Sequence, residues 1–174
     1  ELGRKAVQAL GGKKVESYGK GAIVGVNAVG GVVNAETGEL VAGPLGEAGM
    51  QDSVQLITSP GFTQSHLGEE SAATNTTIGV VATNAALTKG QASKLASVAH
   101  DGIAMAVRPA HLMSDGDTMF ALATGMLDGP VSIDRLCAAA ALSVSRAIVR
   151  AVLKADSIGG VPAVSEFFVD REKR

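Results

Sequence analysis

From Gly21 to Val41 the chain runs GAIVGVNAVGGVVNAETGELV, short β-branched and small apolar runs broken by Gly30-Gly31 and by Glu36-Thr37-Gly38. Apolar runs of this length, bounded by turn residues, predict adjacent antiparallel strands. Gly43 to Asn75 has a different texture. Gly, Pro, Ser, Thr and Glu dominate, and no period is sustained beyond the brief Val54 to Ile57. A loop of about 30 residues is uncommon inside a compact domain and is usually functional or mobile. Thr77 to Thr83 then reads as a strand with apolar residues on both faces, as in a strand covered on both sides.

Thr88 to Gln91 has the form of a capping box. After it Leu95, Val98, Ala99, Gly102, Met105 and Ala106 recur at helical spacing until Arg108-Pro109 ends the helix. Asp117 to Gly125, DTMFALATG, predicts another strand. Ser132 is expected to cap a long Ala-rich helix running to about Lys154, with Gly159-Gly160 and Pro162 as stop signals. The order strands, loop, strand, helix, strand, helix predicts α+β layers with too few strands to close a sheet alone. Residues 1–174 form one domain or the C-terminal part of one.

Composition sharpens this picture. Hydrophobic residues make up 46% of 174 positions, enough for a core, while aromatics are 3%, Trp is absent and Gly numbers 22. Such a core is packed from Ala, Val, Leu and Ile against closely approaching backbones. A net charge of -2 without a long Lys/Arg run argues against a nucleic-acid partner. Arg171, Lys173 and Arg174 read as a solvated tail. The single cysteine, Cys137, falls in a helical pattern and is expected to be a buried, inert thiol, with a reducing, cytoplasmic setting as the default. No apolar run reaches the ~18 residues of a membrane span, and nothing at the start resembles a signal peptide, so no membrane partner is expected. The chain opens on Glu1 rather than Met, so the natural N-terminus is expected upstream.

Glycines 19, 21 and 25 invite a dinucleotide-binding assignment, but that fingerprint needs a helix directly after the glycines, and here a strand follows. Asp115-Gly116-Asp117 could hold a divalent cation through oxygen ligands, but partner ligands are hard to find and a plain turn accounts for it equally. His66, His100 and His111 lack the short zinc spacings and read as structural or surface histidines. Asn75-Thr76-Thr77 is formally a glycosylation sequon, and Asn and Thr are ordinary residues before a strand. A different chemistry uses these positions together. Were the Asn75–Thr76 bond cut, Thr76 would carry both a hydroxyl nucleophile and, in its new α-amine, a base titrating near ~7.7–8.0.

Three ordered blocks carry a resemblance: GAIVGVNAVGGVVNAETGELVAG, NTTIGVVATNAALTKGQASKLASVAHDGIAMAVRPAH and DGDTMFALATG. Together they resemble the self-processing aminopeptidases that include the L-aminopeptidase/D-amidase-esterases, the β-peptidyl aminopeptidases and the nylon-oligomer hydrolase. The resemblance extends from Gly21 to Pro162. It implies cleavage between Asn75 and Thr76 into 1–75 and 76–174, with Thr76 as nucleophile and Asn27 as an amide donor to the oxyanion. Asp115 and Asp117 would orient the nucleophile and its amine. The implied fold is a four-layer α-β-β-α sandwich, lacking here the family's N-terminal region, which includes at least one further active-site residue. The implied activity is cofactor-free hydrolysis of short peptides or amino-acid amides, in a homo-oligomer, with the absent region supplied by another chain if the chain is not a fragment. Two alternatives stay open: acyl transfer of the ornithine-acetyltransferase kind, and an inactive, truncated assembly domain.

Overall fold

A computed structural model describes residues 19–47, 49–63, 75–127 and 129–168. The expectations at His66 and at the Arg171–Arg174 tail lie outside the described residues. The chain is mixed α and β. Strands β1 (Lys20–Gly25), β2 (Gly31–Val33), β3 (Leu40–Ala42), β4 (Leu45–Gly46) and β5 (Gly49–Met50) precede helix α1 (Ser53–Thr58). Then come β6 (Ile78–Ala85), α2 (Lys89–Ala106), β7 (Val107–Arg108), β8 (Thr118–Leu127), α3 (Ile133–Lys154) and α4 (Val164–Phe168).

The main sheet has the order β1-β6-β8, with β1 antiparallel and β8 parallel to the central β6. A smaller sheet has the order β3-β2-β7. The expected antiparallel hairpin is therefore β2–β3, whereas β1 leaves for the other sheet. The turn after Val26 separates them, because Gly30 must lie where Arg108 and Pro109 main chain leaves no room for a Cβ. The Gly43–Asn75 segment also holds more structure than its composition suggested. It forms the β4–β5 pair and α1, whose N-terminal amides at Val54 and Gln55 are capped by the Asp52 carboxylate. A one-and-a-half-turn helix is too short to leave a legible 3.6-residue period.

Thr88 and Gln91 form the predicted capping box in full. Ser132 stands at the N-cap of α3 but its side chain makes no capping bond, contrary to the sequence expectation. Helices α2 and α3 pack together and onto one face of the main sheet, where Ala22, Val81 and Met119 meet Leu95, Ala99, Ile103, Val144 and Ile148. Gly102 permits this approach: a Cβ there would collide with the Ala141 carbonyl oxygen of α3. Cys137 is buried in the same layer, and burial pushes its thiol pKa up. By length and composition alone α3 is long and apolar enough to cross a membrane, contrary to the sequence expectation. In the fold its Leu136, Cys137, Ala140, Val144 and Ile148 face the core.

The opposite sheet face is only partly covered among the described residues, with Ala82 buried and its larger side chains left open. Register places Ile23, Val80 and Phe120 in one row and Ala82 and Leu122 in the next. Ile23, Ile78, Phe120 and Leu122 are each about half exposed. The sequence expectation of a β6 covered on both faces is thus met in full on the helix side only.

Candidate active site

Because β6 and β8 are parallel and β1 runs against them, the end of β1 and the starts of β6 and β8 lie at one edge of the sheet. Asn27, Asn75–Thr77 and Asp115–Asp117 are the residues just beyond those three ends. The sheet geometry thereby gathers the sequence-predicted residues in one place, and main-chain hydrogen bonds continue the pairing beyond the strands. The Thr76 N–H donates to the Asn27 carbonyl at 2.8 Å, the Gly116 N–H to the Asn75 carbonyl at 3.0 Å, and the Thr118 N–H to the Thr77 carbonyl at 2.9 Å. Asn75 and Asp115 form a parallel bridge.

The Asn75 carbonyl oxygen is the focus of the arrangement. Besides the Gly116 N–H it accepts the Thr76 hydroxyl at 2.7 Å, so two donors converge on the carbonyl of the bond expected to be cut. Both donors polarise the carbonyl, and the Gly116 amide is the one that would stabilise negative charge developing on its oxygen were the Thr76 hydroxyl to attack. Gly116 is required to be small: a Cβ would sit 2.8 Å from the Thr76 hydroxyl oxygen.

Both carboxylates brace this junction from its sides. Asp117 accepts the Thr77 N–H on one oxygen at 2.9 Å, and its other oxygen lies 2.9 Å from His111 Nδ1. Asp115 accepts the Val29 N–H at 3.4 Å and the Leu112 N–H at 3.3 Å, tying the loop after β1 to the loop before β8. Its pKa is raised, first by burial and then by the charge of Asp117, against the smaller opposing effect of these amides and His111. Asp117 thus reaches Thr76 through the neighbouring Thr77 amide, and Asp115 through the loops that frame the junction. Thr77 itself is buried.

Asn27 is exposed and positioned by its main chain beside Thr76. With Gly30, Gly31, Asn75, Val152 and Val161 it lines a cavity of about 540 Å3. Among the described residues no three His, Cys, Asp or Glu side chains gather as a metal site. Sequence reasoning missed two participants. Gly116 acts through its backbone amide, which no side-chain inventory reveals, although its place between two aspartates was a usable signal. His111 was read as structural, and its pairing with Asp117 depends on a loop path that residue spacing does not encode.

The model of peptidase family S58 matches residues 7–164, and the chain belongs to that family. This is the family whose likeness the ordered sequence blocks carried. An uncharacterized aminopeptidase of Mycobacterium leprae is 39% identical over 163 residues, covering 85% of this chain and 44% of its own length. Uncharacterized aminopeptidases of Mycobacterium bovis and Mycobacterium tuberculosis are 36% identical over 163 residues, covering 85% of this chain and 47% of theirs. The chain therefore spans about half the length of these relatives.

Proposed function

We propose that this chain carries the nucleophile of an autoprocessing aminopeptidase or amidase, with Thr76 released by cleavage after Asn75. The observation that carries the proposal is the pair of donors on the Asn75 carbonyl, the Thr76 hydroxyl at 2.7 Å and the Gly116 N–H at 3.0 Å. In the processing step the Thr76 hydroxyl oxygen attacks the Asn75 carbonyl carbon, and the Gly116 amide bears the oxyanion. The C–N bond breaks as nitrogen takes the proton that the attacking hydroxyl gives up, leaving an Asn75 ester on the Thr76 oxygen. Water hydrolyses that ester to a carboxylate at Asn75 and a free Thr76 amine and hydroxyl.

The new amine would stay hydrogen-bonded to the Asn27 carbonyl that now accepts the Thr76 N–H. Donation of a proton to that carbonyl leaves the amine lone pair for base work. It would take the hydroxyl proton as Thr76 attacks a substrate carbonyl and return it to the leaving amine, after which water resolves the acyl-enzyme. The Asn27 side-chain amide is proposed as an oxyanion donor in turnover, and Asp115 and Asp117 as the groups that hold the nucleophile in place. Substrates of the class are short peptides or small amino-acid amides, taken in the cavity beside Asn27, and the scheme uses no cofactor. Relatives described as aminopeptidases support hydrolysis over acyl transfer to an amine. The four-layer sandwich is proposed as well: the half-exposed face of Ile23, Ile78, Phe120 and Leu122 suits a second sheet.

The test is mass spectrometry with N-terminal sequencing of the folded full-length protein. A second terminus reading Thr-Thr-Ile is expected in wild type; release should be lost in Thr76→Ala but kept in Thr77→Ala, whose new terminus would read Thr-Ala-Ile. A wild-type protein that stays a single chain would remove the autoprocessing claim.

A further inference from the structure

We infer that His111 is a positioning residue whose imidazole fixes the Asp117 carboxylate and, through it, the peptide plane that follows Thr76. The consequence for processing rests on the function proposed above, while the positioning itself does not. Asp117 is almost wholly buried, with 4% of its side chain exposed, and each of its oxygens is committed to a different segment. One accepts the Thr77 N–H and the other faces His111 Nδ1, each at 2.9 Å. The Thr77 N–H shares its rigid peptide plane with the Thr76 carbonyl, so rotation of the carboxylate would release the backbone on the C-terminal side of the nucleophile. A buried carboxylate that loses one of its two partners has reason to rotate, because the unpaired oxygen seeks another donor.

His111 is held in a way that serves this contact. Its φ of 59° is in the left-handed region, where among the described residues it is the only one that is not glycine. That conformation is unfavourable for a non-glycine residue and persists where surrounding contacts enforce it. The ring packs 5.3 Å from that of His100, centroid to centroid, at 56°. His100 is itself anchored, its Nε2 accepting the Met119 N–H at 3.3 Å. Asp117, the nearby Asp115 and His100 are the titratable groups about the imidazole.

Two substitutions in the full-length protein separate positioning from folding. His111→Gly removes the ring while accepting the left-handed backbone. His111→Asn also tolerates that backbone and places an amide N–H near the position of Nδ1. Hydrogen exchange at the Thr77 amide is expected to quicken about tenfold or more in His111→Gly and to return close to wild type in His111→Asn. Release of the Thr76 terminus and kcat should fall roughly 10- to 100-fold in the glycine variant, with KM little changed, and recover in the asparagine variant. Unchanged Thr77 exchange in His111→Gly, or an asparagine variant no better than glycine, overturns the inference. Altered exchange with unaltered processing and kcat overturns its catalytic consequence. If wild type never releases Thr76, the proposed function falls, and Thr77 exchange still decides whether His111 positions Asp117.

Discussion

At the scale of single residues, the proposed processing step depends on how closely Gly116 approaches Thr76. A methyl group at 116 would lie 2.8 Å from the Thr76 hydroxyl, which can rotate away about χ1 because it is a side-chain end. Gly116→Ala is therefore expected to fold, with a melting temperature near wild type. Release of the Thr76 terminus should slow by roughly 100-fold, as expected of a misplaced attacking group. Processing at the wild-type rate would mean that the hydroxyl position seen here is not the one that matters. Asp115 gives a second, independent test. Its folded pKa is raised above the ordinary 3.8, so the folded state binds its proton more tightly than the unfolded chain. The stabilisation from that proton is present at pH below about 4 and is lost as pH rises through the raised value. Thermal midpoints of wild type should accordingly fall relative to Asp115→Asn as pH rises above about 4. The two curves staying parallel would show that Asp115 is not held against its charge. Asp115 and Asp117 were legible from sequence because carboxylates one residue apart before a strand are conspicuous. The Gly116 amide and the His111 contact were not, since each depends on backbone paths meeting in three dimensions.

At the scale of elements, α2 was the most legible part of the chain, because its start is written in side chains. Thr88 and Gln91 satisfy each other's backbone donors, and an exposed helix start has few other ways to do so. Thr88→Ala should cost about 1 kcal/mol, read as a shift in the denaturation midpoint. Gly102→Ala should cost more, about 1–3 kcal/mol, despite alanine's better helix propensity. The reason is that a Cβ at 102 meets the Ala141 carbonyl and Val144 of α3, in a contact between backbones that cannot give way as a side-chain tip can. A stabilised Gly102→Ala would mean the helices are free to separate. Strand partnership was far less legible. The apolar runs of β1, β2 and β3 look alike, and nothing local says that β1 pairs with β6, some sixty residues away, while β2 pairs with β3. Hydrophobic pattern identifies a strand and its faces, but partner choice is a property of the assembled layers.

At the scale of the whole molecule, the partly covered sheet face is the feature that links fold to function. Ile23, Ile78, Phe120 and Leu122 lie on the side away from α2 and α3, and each retains about half of its exposure. Covering four such side chains would contribute about 3–6 kcal/mol by area, a large share of the 5–15 kcal/mol that holds a domain folded. The relatives are about twice as long as this chain, so they contain enough additional polypeptide to form the covering layer. Because β1, β6 and β8 carry this face and also deliver Asn27, Thr76 and Asp117 at their ends, a sheet that moves without its cover would loosen the junction. The full-length protein is therefore expected to unfold at a higher temperature than the 174-residue chain alone. Phe120→Ser with Leu122→Ser should separate the two contexts. In full-length protein the pair is expected to cost several kcal/mol and to slow release of Thr76; in the isolated chain it should leave stability nearly unchanged and reduce self-association. Equal effects in both contexts would show that the face remains open to solvent in the complete protein, and the four-layer proposal would then be lost while the geometry at Asn75 and Thr76 stands.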